Sequence, residues 1–308
     1  MKGETVVGTR LHWHSHSQLD RIDVDKVLAQ VRAFCTRAAT YSDGGILIAV
    51  GLPKAMVSYI TAGTSSCESV SPPSAFEDSV RDFMAKFQRE VSSGSFAGQV
   101  EIIPMLHWGK FVPALNALIG KAADCFPKAD MLILQSLEVN VTAATVATLQ
   151  SHFDKKKDLV VGAELPGHDF QPELSKQPVE LSGLTSPWNT LALWNLESLT
   201  KVGFALMGEA LRLKVDGIAS AAGIEEVATI SMYQQLYAKN TLPTTAKLVR
   251  VPSIAWKVED LYDAERLGWH LKKMASKQQR AAKQLAHFGG IAPGRVYHIE
   301  ARKEEHRF

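Results

Sequence analysis

The sequence predicts an α/β fold on a mostly parallel sheet, covered by helices on both faces. Two observations carry this. Short apolar runs of strand length recur through the first 165 residues, and segments with helical spacing of apolar positions separate them. Past residue 165 the alternation stops, and a Pro-, Gly- and Ser-rich stretch over residues 166–187 reads as an excursion across the surface.

Taken in order, Thr5–Trp13 reads as a first strand. Asp23–Thr40 reads as a helix, with Val24, Val27, Leu28, Val31 and Phe34 on one face and Asp23 as its cap. Ile46–Val50 is a buried-strand run, Ser65–Ser74 a loop, and Ala75–Val91 a helix through Phe76, Val80, Phe83 and Phe87. Val100–Met105, Met131–Leu134 and Leu159–Ala163 read as strands. Between them lie helices at Phe111–Ala123 and, behind a Thr142 cap, Thr142–Phe153. Gly223–Tyr237 reads as a helix, Lys247–Val251 as a late strand, and Asp263–Phe288 as one long basic helix ended by Gly289-Gly290. Right-handed crossovers bring the strand C-termini to one edge, where open α/β sheets bind ligands.

Composition narrows the function class. The 308 residues are 46% hydrophobic and 21% charged, ordinary for a soluble globular chain. A net charge of +2 supplies no global attraction to nucleic acid, which is not expected as a partner. Cys35, Cys67 and Cys125 are widely spaced and form no CxxC pair, which predicts reduced thiols. No signal peptide or apolar run of membrane-spanning length is seen, so the expected location is cytoplasmic or otherwise intracellular. No GxxxxGK[ST] loop, GxGxxG turn or GxSxG elbow is present, which disfavours P-loop, dinucleotide and α/β-hydrolase chemistry.

Three segments then stand out in order. Trp108–Ala122 (WGKFVPALNALIGKA) follows a strand, with Gly109, Ala114 and Asn116 in register with a "G…A.N.G…A" pattern. Residues 129–153 (ADMLILQSLEVNVTAATVATLQSHF) lead into another strand. Leu199–Phe204 (LTKVGF) is followed by Gly223-Ile224-Glu225-Glu226-Val227. Together they resemble the GT-A fold of the nucleotide-diphospho-sugar transferases, family-2-like, over roughly residues 5–260. The resemblance implies residues 1–262 as one GT-A-like domain, with a nucleotide-binding half at 1–165 and an acceptor-side half at 166–262. Residues 263–308 form a basic helix and tail. It also implies a nucleotide-sugar donor and an unknown acceptor. The runner-up is a catalytically inactive GT-A-like scaffold subunit, meeting a protein partner through the basic C-terminal helix. A nucleotidyltransferase on the same architecture is a weaker third, since HWHSHSQ supplies no Gly-rich basic loop.

The resemblance also assigns roles. Metal-dependent members hold Mg²⁺ or Mn²⁺ with a D-x-D motif, which offsets charge on the departing diphosphate. The equivalent positions read Gln135, Ser136, Leu137 and Glu138, leaving Glu138 as metal candidate or as an ordinary acid before the Thr142 helix. Glu225 or Glu226 supplies the base, with Glu226 slightly preferred; helix N-termini favour acids in any case. His12, His14 and His16 share a face if extended; the segment reads first as a solvated loop without a ligand, second as a nucleotide contact through His14 or Trp13, and third as a metal site. Gly51, Gly109, Lys110, Asn116 and Gln135 complete the donor-side candidates. At the family's uracil-contacting position the chain reads Val50-Gly51-Leu52-Pro53, without the acid. Of Trp188 and Trp194, one is expected in the core, with Trp188 the pocket candidate. On the last helix, Leu267, Leu271, Met274 and Leu285 are expected to pack inward and leave Lys272, Lys273, Lys277, Arg280 and Lys283 solvated.

Overall fold

A computed structural model of the chain describes residues 4–13, 21–53, 74–174, 176–206, 209, 212–239, 242–251, 254–256 and 264–301. The first half follows the sequence pattern closely. Strands β1 (Glu4–Leu11), β2 (Gly45–Gly51), β3 (Val100–Met105) and β4 (Ala129–Gln135) alternate with helices α1 (Val24–Ala38), α2 (Ala75–Ser92) and α3 (Val112–Cys125). A short strand β5 (Val139–Asn140), helix α4 (Ala143–Ser151) and strand β6 (Asp158–Ala163) complete it. Local capping sets the helix starts: Asp23 accepts from the Lys26 N–H, Thr142 from Thr145, and Ser74 and Glu77 form a reciprocal capping box.

The second half is β7 (Val179–Glu180), β8 (Leu191–Asn195), α5 (Leu196–Val202), β9 (Leu213–Val215), β10 (Ile218–Ala221) and α6 (Glu225–Leu236). Then come β11 (Thr245–Arg250), β12 (Ala255–Trp256), α7 (Ala264–Ala275), α8 (Lys277–His287) and β13 (Arg295–Glu300). One nine-stranded sheet runs in the order β3-β2-β1-β4-β8-β6-β11-β13-β7. Only β8 and β7 run against the others, so the sheet is mostly parallel, as the alternation predicts. Side chains alternate across it. Val6, Leu47, Ala49, Leu132 and Leu134 meet α3, α5, α6 and α8, while Val7, Ile46, Ile48, Val50 and Ile133 meet α1, α2 and α4.

The structure corrects the reading of the C-terminal region. The expected single helix over Asp263–Phe288 is two, α7 and α8, divided at Ser276, although Arg280 N–H still bonds the Ser276 carbonyl. Gly289 and Gly290 end α8 as expected, at φ +84° and +74°, which a side chain strains to adopt. The stretch RVYHIE then forms β13, which pairs in parallel with β11 inside the main sheet. Its period-two burial, with Val296 and His298 inward, is too short a signal to separate from a loop in sequence. The antiparallel β8 is a second departure from the sequence pattern. It is buried on both faces and lacks alternation. Residues 65–73 of the expected loop lie outside the described residues.

Candidate functional site

The antiparallel course of β8 brings two distant segments to the carboxyl edge of the parallel strands. Its end, Asn195, sits at the opposite edge, where its amide caps α5 and donates to the Lys155 and Asp158 carbonyls. Its start, the 187–190 turn, therefore stands near the C-termini of β4 and β6, held there by Ser136 N–H to the Thr190 carbonyl. The first turn of α6 meets this turn, and Glu226 Oε1 accepts the Asn189 backbone N–H at 2.7 Å. Glu226 is 5% exposed, and burial, followed by the charge of Glu225, raises its proton affinity above the ordinary carboxylate range. Glu225 is less buried, its side chain 18% exposed. It lies 4.0 Å from the Arg10 guanidinium at the end of β1 and lines a small cleft of about 10 Å³ with Phe111, Val112, Glu209, Ala222 and Gly223.

The basic C-terminal helices face this acidic pair. Lys273, Lys277 and Arg280 fall at i, i+4 and i+7, one helical face continuing through Ser276. That face turns inward, against the expectation of a solvated basic face, which Lys272 and Lys283 alone of the five keep. Leu271, expected inside, is 60% exposed, Lys272 is exposed as well, and Leu285 alone of the apolar set is fully buried; the Leu267 side chain lies outside the described residues. Arg280 is buried and donates to the Ala222 and Lys273 carbonyls. The Lys277 ammonium stands 3.3 Å from the Trp188 ring centroid, and Lys273 and Arg10 lie 4.9 and 5.8 Å from that of Phe111. Burial lowers the proton affinity of Lys277 and Lys273, and neighbouring cations lower it further, while Glu225 and Glu226 pull it back up.

Several expected ligand contacts are occupied within the protein. Gln135 is buried, its amide oxygen accepting from Tyr41 OH at 2.8 Å and its nitrogen donating to the Val139 carbonyl. Asn116 spends both ends of its amide on the backbone of Phe204, at 2.8 and 2.9 Å. Gly51 makes room for Trp108, whose ring stands 2.9 Å from where a Cβ would lie and stacks on His12. Both tryptophans belong to the core, so the expected pocket role for Trp188 is corrected: it is 1% exposed, bonds the Gly183 carbonyl and stacks on His168 at 3.6 Å. His14 and His16 lie outside the described residues. Lys110 is exposed beside Gly109, whose φ of +61° opens the start of α3 to close approach. What approaches is Glu209, whose carboxylate accepts the N–H groups of Lys110, Phe111 and Val112. Glu209 lies 99 residues from Lys110, and no local pattern marks it.

No protein-family model and no curated protein matches the sequence. Among solved structures the chain is similar to S. aureus TarS 1–349 in complex with UDP-GlcNAc. Identity is 10% over 75% of this chain and 53% of that one, with a TM-score of 0.37. A second structure of S. aureus TarS 1–349 matches at 10% identity over 66% and 50% of the two chains, with a TM-score of 0.33. The chain spans about half the length of the structures it matches.

The Mg²⁺ or Mn²⁺ expectation fits the described residues poorly. No group of three or more His, Cys, Asp or Glu among them is arranged to hold a metal ion. Glu138 follows a strand end whose other candidate, Gln135, is already paired internally. Among the described residues, no helix is long and apolar enough to cross a membrane.

Proposed function

We propose that the chain is a nucleotide-sugar-dependent glycosyltransferase of GT-A type, with the acidic pair at the start of α6 as its proton-accepting group. One observation carries this reading: at the carboxyl edge of a mostly parallel sheet, Glu225 and Glu226 meet four cations, Arg10, Lys273, Lys277 and Arg280. An acceptor hydroxyl beside Glu225 gives its proton to the carboxylate as its oxygen bonds the anomeric carbon. The bond from that carbon to the phosphate oxygen breaks, and the electron pair leaves with the nucleoside diphosphate. Reach decides between the two acids. Glu225 lines the cleft and Glu226 lies behind it, bonded to Asn189, so Glu225 is the base and Glu226 fixes the 187–190 turn. This reverses the preference drawn from sequence.

The scaffold alternative rests on the incomplete D-x-D positions and the basic C-terminal helices, of which Lys273, Lys277 and Arg280 turn inward while Lys272 and Lys283 are exposed. Thermal-shift measurement with nucleoside diphosphates and nucleotide sugars tests the proposal, since a ligand of the native state raises its melting temperature. Stabilisation by at least one nucleotide sugar is expected, and none by any of them sinks the reading. With the donor identified, Glu225→Gln is expected to bind it and fail to turn over. If Glu226→Gln is the inactive variant while Glu225→Gln turns over, the two roles are exchanged.

A further inference from the structure

We infer that Arg10 is a positioning residue, which holds the Glu225 carboxylate at the cleft while leaving both of its oxygens free to accept a hydroxyl proton; this rests on the glycosyl-transfer reading. The ground is a difference among three acids. Glu209 and Glu225 line the cleft, and Glu226 stands behind it. The Glu209 carboxylate accepts three backbone N–H groups at the start of α3, and Glu226 accepts the Asn189 N–H. Both are fixed by the backbone. No hydrogen bond among the described residues holds Glu225; what stands against its Oε1 is Nη1 of Arg10, 4.0 Å away. A bidentate arginine–carboxylate pair, with bonds of roughly 2.7–2.9 Å, occupies both oxygens. At 4.0 Å the charge of Arg10 acts on Glu225 and neither oxygen is spent.

Arg10 has a fixed origin from which to do this. Strand β1 pairs on one side with β2, where Arg10 is in register with Ala49, and on the other side with β4. The period of two puts Arg10 on the face of Val6 and Gly8, which α3 covers. Its guanidinium lies 5.8 Å from the Phe111 ring centroid as well, and the Arg10 and Glu225 side chains are only 16% and 18% exposed. Charges so far withdrawn from water are weakly screened, so the pair couples more strongly than one on the surface. Other charges also face Glu225. Glu226 adjoins it on α6, Glu209 shares the cleft, and Lys273, Lys277 and Arg280 act on it from α7 and α8. Adjacent acids oppose a second negative charge, and a cation within roughly 4–6 Å restores it. What sets Arg10 apart from the other cations is its place on a strand paired on both sides.

A thermodynamic cycle on the full chain tests the pairing without a substrate. Urea unfolding of the parent, Arg10→Gln, Glu225→Gln and the double variant at pH 7.5 is expected to show a coupling of about fivefold in the unfolding equilibrium constant. The coupling should shrink at pH 4, where carboxylates take up protons. A second arm reads catalysis, with UDP-, GDP-, ADP- and CDP-sugars as donors, water as acceptor and released nucleoside diphosphate as the signal. Arg10→Gln is expected to bind the donor as the parent does, to release nucleoside diphosphate about tenfold more slowly below neutral pH, and to regain rate as pH rises. Arg10→Lys, which keeps the charge, is expected to restore most of the rate. If Arg10→Gln fails to fold by circular dichroism, Arg10→Met replaces it in both arms. Absence of coupling, or a loss of rate that is uniform across pH, overturns the inference and leaves glycosyl transfer standing. Weakened donor binding by Arg10→Gln overturns it too, because Arg10 then serves the donor and not the base. If the parent neither binds nor hydrolyses any of these nucleotide sugars, both readings fall.

Discussion

The Lys277 ammonium lies over the Trp188 ring, 3.3 Å from its centroid, and both residues are positioned by Gly183. The Gly183 carbonyl accepts the Trp188 indole N–H at 2.9 Å. A Cβ on Gly183 would stand 2.3 Å from the backbone carbonyl oxygen of Lys277. Backbone cannot yield as a flexible side chain can, so α8 must move for any larger residue to fit.

Gly183→Ala is therefore expected to destabilise the chain by about 1–3 kcal/mol, the usual cost of overpacking a filled interior. Urea unfolding of the variant and the parent measures the loss.

His168 predicts acid sensitivity. Its Nδ1 accepts the Leu165 N–H at 2.9 Å, its Nε2–H faces the Ser186 carbonyl at 3.0 Å, and Trp188 covers the ring. Burial holds the imidazole neutral and pushes its pKa down to about 3. Between that value and the ordinary imidazole range the unfolded chain binds the proton and the native chain does not. Stability from this residue is thus present above about pH 6.5 and lost as pH falls, by at most about 1.4 kcal/mol per unit. Urea midpoints from pH 7.5 to 4.5 for the parent and His168→Gln should converge as the pH falls.

Glu226 has the opposite sign. Its raised folded pKa means that the native state holds a proton which the unfolded state has already lost above the ordinary carboxylate range. Stability therefore falls as pH rises through that interval, and Glu226→Gln removes the fall. The stability difference between Glu226→Gln and the parent should grow in the variant's favour from pH 4.5 towards neutrality. A difference independent of pH would show that Glu226 is ionised throughout.

Asn116 binds the Phe204 backbone N–H and carbonyl with one amide, joining α3 to the turn after α5. Asn116→Ala leaves both backbone groups unpaired, one on a part-buried turn, for an expected cost of about 2 kcal/mol. Hydrogen exchange at residues 203–204 should quicken by more than at the centre of β1.

Local physics made much of the fold legible. The period of apolar residues, the caps Asp23, Ser74 and Thr142, and the terminating Gly289-Gly290 are short-range features, and they set the strands and helices through β6. The acidic pair at the start of α6 could be read the same way. The spacing of Lys273, Lys277 and Arg280 was present too, as one helical face. What spacing does not carry is the direction in which that face points, because a basic stripe near apolar neighbours is ordinarily solvated. Only the packing of α7 and α8 against Glu225 and Glu226 turns it inward.

The sequence by itself determined the class of fold, the order of its elements through β6 and the acids at the start of α6. The tertiary structure alone decided which acid lines the cleft, that Glu209 occupies the start of α3, and that β8 runs antiparallel to place Asn189 against Glu226. The physical reason is range. Periodicity and capping act within a few residues, whereas these pairings join groups 37 to 99 positions apart and depend on the sheet having formed.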